Sequence, residues 1–191
     1  NQVWVGMAKE TAHQLGTPLS SLLALLENFK SNYRNDENIR ELEKDVNRLE
    51  LITERFSKIG SAPALKPEKM LPLVENSISY LKKRTSQNVL YTIKESGEEC
   101  IALVNVSLFD WVMENLCKNA IDAMNGQGQL KVNISNSARN IYIDVSDTGK
   151  GIAKSKFKTI FKPGFTTKAR GWGLGLSLSK RIVENYLKGS I

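Results

Sequence analysis

Along the first third of the chain, apolar residues recur at Val5, Ala8, Ala12, Leu15, Leu19, Leu22, Leu26, Phe29 and Tyr33, in steps that alternate three and four. That spacing is a heptad seam on one long helix. The polar stretch "SNYRND" supplies turn chemistry, and a second periodic run follows at Ile39, Leu42, Val46, Leu49, Ile52, Phe56 and Ile59. Two such helices joined by a short loop predict an all-α antiparallel hairpin over residues 1–60. A lone hairpin does not bury both seams, so pairing with a second copy into a dimeric four-helix bundle is the expected completion. Gly60, Pro63 and Pro67 in "GSAPALKP" interrupt the pattern, and 61–67 reads as a linker.

From residue 68 onward the period changes. Residues 68–84 read as helix, whereas "VLYTIKE" (89–95), "CIALVNV" (100–106), "LKVNIS" (130–135) and "IYIDVS" (141–146) carry the alternation and β-branching of strands, with antiparallel neighbours expected. Ser107 followed by Asp110 resembles a capping box that opens a helix running to Met124. A last helix is expected from about Leu174 to Tyr186. Helices mixed with strands in this way predict an α+β two-layer sandwich over 68–191. The chain starts inside a helical pattern and stops at "KGSI", so both ends are expected to be cuts, with the second domain C-terminally truncated.

Composition narrows the class without deciding it. The 41% hydrophobic and 25% charged residues are ordinary for a globular domain. A net charge of +7 suits a protein that handles phosphates or meets acidic partners, and its basic residues are scattered rather than massed. Cys100 and Cys117 lack metal-ligand spacing, and Cys117 falls on an apolar helical pattern. Reduced thiols, no apolar run near the roughly 20 residues of a membrane span, and no signal peptide point to a cytoplasmic chain. Any membrane link would lie in a sensor segment outside it.

Four stretches carry candidate chemistry. "KETAHQLGTPLSS" holds the sequence's single histidine, His13, five residues before Pro18; a lone helical histidine is most often a solvated residue. In "ENLCKNAIDAM", Asn115 and Asn119 share one helical face, with Lys118 beside them and Asp122 close by. In "DVSDTGKGI", Asp147 ends a strand and Gly149 and Gly151 flank Lys150. A carboxylate pinned there can accept from an exocyclic amine, though a plain tight turn reads the same way. In "FKTIFKPGFTTKARGWGLGLSLSK", Phe157 and Phe161 precede a loop punctuated by Gly164, Gly171, Gly173 and Gly175, with Lys162, Lys168 and Arg170 as mobile positive charge. Glycine-rich backbone running into a helix is a candidate anion cradle. Each element alone is weak; the order of the three is not.

Taken together, the chain resembles sensor histidine kinases of two-component systems over nearly all its length. "MAKETAHQLGTPL" (7–19) is similar to their phosphoacceptor motif. The asparagine helix, "DTGKGI", the Phe157/Phe161 pair and "GWGLGL" resemble, in order, the four boxes of the Bergerat-type ATP-binding domain. The resemblance implies an ATP-dependent histidine autokinase that acts as a homodimer and passes the phosphoryl group to an aspartate of a response regulator receiver domain, with regulator phosphatase activity as a further option and no nucleic acid as partner. It implies His13 as phosphoacceptor and Asn119 as the Mg²⁺ ligand, with Asn115 supporting metal and phosphate and Lys118 contacting phosphate. Asp147 would read the adenine amine above a floor of Gly149, Gly151 and Ile152. The segment from about Ala153 to Trp172 would be a mobile lid, and Gly171, Gly173, Leu174 and Gly175 would hold phosphates. Asp122, Phe161, Thr167, Lys168 and Leu176 complete the implied nucleotide site. Thr17, one turn after His13, matches the position that orients water for dephosphorylating the regulator. Pro18 frees the carbonyl of Gln14 and loosens the turn that carries the histidine.

Three positions depart from the pattern: Gln14 stands where an acidic residue is usual, Gly16 where a basic or bulky one is, and Trp172 where a small one is. The family's fold also continues past "KGSI" with closing strands. Glu10, one turn before His13, is a candidate stand-in for the acidic neighbour. Two other readings compete. A gyrase-like, mismatch-repair or chaperone ATPase would need a glutamate at position 115 to activate water, and Asn115 is not a base. A degenerate kinase serving as a dimeric scaffold finds its support in Gln14.

Overall fold

The computed structural model describes residues 2–33, 36–60, 64–137, 139–168 and 173–191. It divides the chain into two compact units, Asn1–Pro63 and Ala64–Ile191.

In the first unit, α1 (Gln2–Asn32) and α2 (Glu37–Gly60) form a helical hairpin. Pro18 lies inside α1 without ending it. The helices run antiparallel: Lys30 near the end of α1 pairs with Glu43 near the start of α2 at 2.7 Å. Hydrogen bonding to Glu43 foremost, then to Glu27, raises the Lys30 pKa above the ordinary lysine value. The heptad seam divides into two faces. Ala12, Leu19 and Leu26, seven apart, are buried with Val46, and Leu23 and Ile39 pack against that cluster. Leu15, Leu22 and Phe29, also seven apart, stay exposed with Leu42 and Leu49 (42–48%). Within one chain, then, half of the seam is used and half is not. The side chains of the expected positions Val5, Ala8, Phe56 and Ile59, together with 34–35 of the turn and 61–63 of the linker, lie outside what the structure describes.

The second unit is a sheet layer under a helix layer. The elements are β1 (Lys66–Lys69), α3 (Met70–Lys82), β2 (Val89–Ser96), β3 (Ile101–Val104), α4 (Val106–Ala123), β4 (Gly128–Ser137), β5 (Asn140–Asp147) and α5 (Gly175–Arg181). β2, β4 and β5 form one sheet in the order β2-β4-β5, and β1 pairs with β3 in a second. Leu130, Val132 and Ile134 of β4 all face inward at 0% exposure. They meet Leu73, Val74, Ile78 and Leu81 of α3 and Met113, Cys117, Ala120 and Ile121 of α4 in one core. Burying each large aliphatic side chain here contributes about 1.5–3 kcal/mol. The opposite residues of β4, such as Lys131 and Asn133, are solvated, as period 2 requires.

Several expectations are corrected. Residues 66–69, expected as linker and helix start, form β1, which pairs antiparallel with β3 from Lys66–Val104 to Lys69–Ile101. Pro67 is accommodated because β1 is an edge strand. Adjacent strands in sequence are not all antiparallel partners: β2 pairs parallel with β4, since α4 returns the chain to the same end of the sheet. The cap of α4 is Asn105, whose side chain accepts from the Leu108 amide, and not the Ser107/Asp110 box. Asp110 instead accepts from the Ser77 hydroxyl at 2.6 Å, which ties α4 to α3. The last helix is α-helical only to Arg181; Ile182–Tyr186 widens to a π-turn, with Leu187 N–H donating to the Ile182 carbonyl.

Candidate functional site

On the hairpin, α1 turns so that Ala12 is buried at 7% and its neighbour His13 is exposed. His13, Glu10, Gly16, Thr17 and Ser20 line an open groove with Thr53, Glu54 and Ser57 of α2. The Gln14 amide donates to the Glu10 carboxylate at 2.7 Å, a turn apart on an exposed face. Two residues after Pro18, the Ser20 hydroxyl donates to the Gly16 carbonyl at 2.9 Å. A proline and a back-bonded serine in one turn both loosen the backbone ladder there. His13, Gln14 and Thr17 are therefore gathered on an accessible, locally weakened stretch of helix.

In the second unit, α4 places Asn115, Asn119 and Asp122 one after another along one face, with Lys118 exposed beside them. Asn115 turns toward α5, its amide donating to the buried Ser179 hydroxyl at 3.4 Å. Ser179 was not anticipated from sequence; its signal is a serine one turn after Gly175 and next to the buried Leu178. Asn119 and Asp122 both meet Lys168, from a loop 46 residues or more away. The Lys168 ammonium donates to Asn119 Oδ1 at 2.8 Å and to Asp122 Oδ2 at 2.6 Å. Two hard oxygen donors thus already converge on one cation. Among the described residues no group of three His, Cys, Asp or Glu side chains gathers. A divalent ion on this pair would complete its shell with phosphate oxygens and water, which suits Mg²⁺.

Asp147 ends β5 opposite Leu130, the first fully buried residue of β4. The Gly149 N–H donates to Asp147 Oδ1 at 2.8 Å. Gly149 is required by space: a Cβ there would lie 2.7–2.8 Å from the Ala123 carbonyl group. The Lys150 N–H donates to that same carbonyl, so the turn is laced to the end of α4. Thr148 Oγ1 accepts from the Gln129 N–H at 3.0 Å and fixes the strand end further. Gly151 and Ile152 follow, both exposed. Gly173 has a φ of +64° and approaches Gly164 so closely that a Cβ would fall 2.5 Å from its carbonyl carbon. The Gly164 N–H donates to Gly173 O. Leu174 is exposed, and Gly175 opens α5 with Leu176 half-buried behind it. The Phe161 ring carries the Lys180 ammonium 5.2 Å from its centre, a cation–π contact. Thr167 is exposed next to Lys168. Arg170, Gly171 and Trp172 lie outside the described residues. Beneath the face that carries these groups, burial pushes the Cys117 thiol up to about 12, so it stays a neutral core side chain rather than a nucleophile.

Residues 105–191 match the family model described as histidine kinase-, DNA gyrase B- and HSP90-like ATPase. A putative NtrY-like sensor histidine kinase of Rickettsia bellii (strain RML369-C) is 29% identical over 96% of this chain and 32% of its own length. The sensor histidine kinase ZraS of Escherichia coli (strain K12) is 29% identical over 94% of this chain and 40% of its own. The chain thus spans a third to two-fifths of the length of these curated relatives. Among solved structures, the catalytic domain of histidine kinase ThkA superposes with a TM-score of 0.59 at 24% identity, covering 64% of this chain and 81% of that one. Full-length ShkA in complex with AMPPNP superposes with a TM-score of 0.69 at 19% identity, covering 94% of this chain and 40% of that one. These likenesses establish the Bergerat-type α+β sandwich. The chain is accordingly similar to two-component sensor histidine kinases along almost its whole length, and residues 105–191 are similar to the ATP-binding domain that histidine kinases share with DNA gyrase B and HSP90.

Proposed function

We propose that this chain is an ATP-dependent histidine autokinase of a two-component system, working as a homodimer and passing its phosphoryl group to an aspartate of a response regulator receiver domain. The observation that carries the reading is the pairing, in one chain, of an exposed His13 on a weakened helical turn with a second unit whose α4 oxygens converge on a cation. ThkA has also been solved in complex with the response regulator protein TrrA, which supports a partner of that class here.

In this reading Asp147 accepts from the adenine amine through the oxygen that Gly149 leaves available, above Gly149, Gly151 and Ile152. Asn119 would hold Mg²⁺, helped by Asn115 and Asp122; the bound ion supplies charge neutralisation on the phosphates. Lys118, Thr167, Lys168, Gly171, Gly173, Leu174, Gly175 and Leu176 surround the phosphate chain, and Phe161 braces the segment that covers it. His13 attacks through Nε2: a bond to the γ-phosphorus forms as the bond to the β,γ-bridging oxygen breaks, and ADP leaves. The imidazole proton on Nδ1 passes to a neighbouring base, and the Glu10 carboxylate, held by Gln14, is the nearest candidate along the helix. Positioning and charge neutralisation supply most of the rate. Thr17 orients water in the reverse task, dephosphorylation of the regulator.

The homodimer is supported by the second face of the hairpin. Leu15, Leu22, Phe29, Leu42 and Leu49 form a row of exposed apolar residues at heptad spacing, which a second hairpin would cover as a four-helix bundle. Incubation with Mg²⁺ and ATP should add one phosphoryl group to the peptide containing His13, read by mass spectrometry at neutral pH. His13→Ala should abolish that addition and leave ATP affinity unchanged. Phosphoryl transfer that survives His13→Ala would refute the assignment.

A further inference from the structure

The contact of Lys168 with Asn119 and Asp122 is not explained by the proposed chemistry, which asks Lys168 to meet phosphates. Its ammonium lies within 2.6–2.8 Å of both oxygens that would serve a divalent cation. Asp122 and Lys168 are each 41% exposed, so the bond forms at a surface where water competes and the pair is readily exchanged. The Lys168 N–H also donates to Thr166 Oγ1 at 3.1 Å, which braces the backbone that delivers the side chain. A single ammonium and a divalent ion do not share Asn119 Oδ1 comfortably, because at that separation their charges repel strongly.

We propose that Lys168 is a built-in competitor of the divalent cation. In the nucleotide-free molecule its ammonium takes the cation position on Asn119 and Asp122, pinning the segment that carries it to α4, and it gives way when a metal–nucleotide complex enters. This rests on the nucleotide site proposed above. Asp122 thereby gains a role of its own, as the anchor of an empty-site conformation. The device keeps two oxygen donors from facing each other without a counter-charge, and it makes release of the Lys168 segment depend on metal as well as on nucleotide.

The test is the acylation rate of the Lys168 amine by a dilute amine-reactive ester, read by mass spectrometry against exposed Lys150 and Lys158 in the same digest. In the free protein Lys168 should react slowly. Saturating ADP with Mg²⁺, which offers no γ-phosphate to recapture the amine, should speed it about fivefold, the ratio an exposed ion pair sustains. ADP in EDTA should leave it slow, and Asp122→Asn should speed it without any ligand. Calorimetry on the same samples reports whether ADP binds. If ADP binds and the rate does not change, or changes equally in EDTA, the competitor role is overturned while the nucleotide site stands. If ADP does not bind at all, the nucleotide reading falls and this inference falls with it.

Discussion

At Asp147 one carboxylate oxygen is engaged by the Gly149 amide at 2.8 Å, which leaves the other for a ligand. Asp147→Asn would keep its oxygen on Gly149 and turn an NH₂ toward the ligand, donor against the adenine amine's own donors. A mispaired polar group of this kind costs about 1–3 kcal/mol, so adenosine and ATP should both bind about 10- to 100-fold more weakly. Asn119→Asp should leave adenosine binding intact and disturb only ATP with Mg²⁺. Calorimetry with the two ligands separates these outcomes, and equal loss of adenosine binding in both variants would count against the roles. Around His13 the decisive contact is that of Gln14 with Glu10. An amide at 14 can hold a neighbouring carboxylate but takes no proton, and base assistance is worth about 10²–10⁴-fold. Gln14→Glu should therefore speed single-turnover phosphorylation, and Glu10→Gln should slow it. Rates unmoved by either change would show that this turn does not limit the reaction. Both residues were legible in the sequence because they are local. Lys168 was legible as mobile positive charge and, through the resemblance, as part of the nucleotide site, but no pattern reveals that it lands on residues 46 and 49 positions away.

On the scale of elements, the heptad pattern announced two helices but not which half of the seam packs within the hairpin. Periodicity records that Leu19 and Leu22 are both apolar; packing against Val46 decides that Leu19 is inside and Leu22 is not. Since Leu22 and Leu49 remain 42% and 48% exposed in the single chain, Leu22→Glu or Leu49→Lys should leave each hairpin folded. The charge would be buried only in the dimer, at a cost of several kcal/mol. Light scattering should then report monomers, and an unchanged dimer would mean that the exposed face is not the interface. β1 escaped sequence reading because "KPEK" has a proline, two lysines and no alternation; its strand state comes from β3. The parallel β2–β4 pairing was equally invisible, being set by the path of α4. α4 itself makes a pH prediction through Cys117. Its thiol is held neutral to about 12 in the fold, whereas an unfolded thiol ionises near 8.5. The raised value stabilises the fold fully below about pH 8.5, and that stability is lost as pH climbs from there to 12. Cys117→Ala should flatten the alkaline slope of unfolding free energy by up to about 1.4 kcal/mol per pH unit. Denaturant melts at pH 8, 9 and 10 would show it, and parallel slopes would refute it.

For the whole molecule, the proposed function gives the two units complementary halves of one chemistry: an accessible imidazole on the first, and on the second a candidate nucleotide site in which Asn115 turns to Ser179 and offers no base for water. The same ATP-binding fold serves ATPases as well as kinases, so the fate of the γ-phosphate is what identifies the reaction. The measurement is incubation with Mg²⁺ and γ-labelled ATP, followed by denaturation and division of the sample between acid and alkali. The account predicts label on the protein that survives alkali, is lost in acid and is missing from His13→Ala. Free labelled phosphate with none on the chain would indicate an ATPase, and no turnover beside intact ATP binding would indicate a scaffold; either result would contradict it.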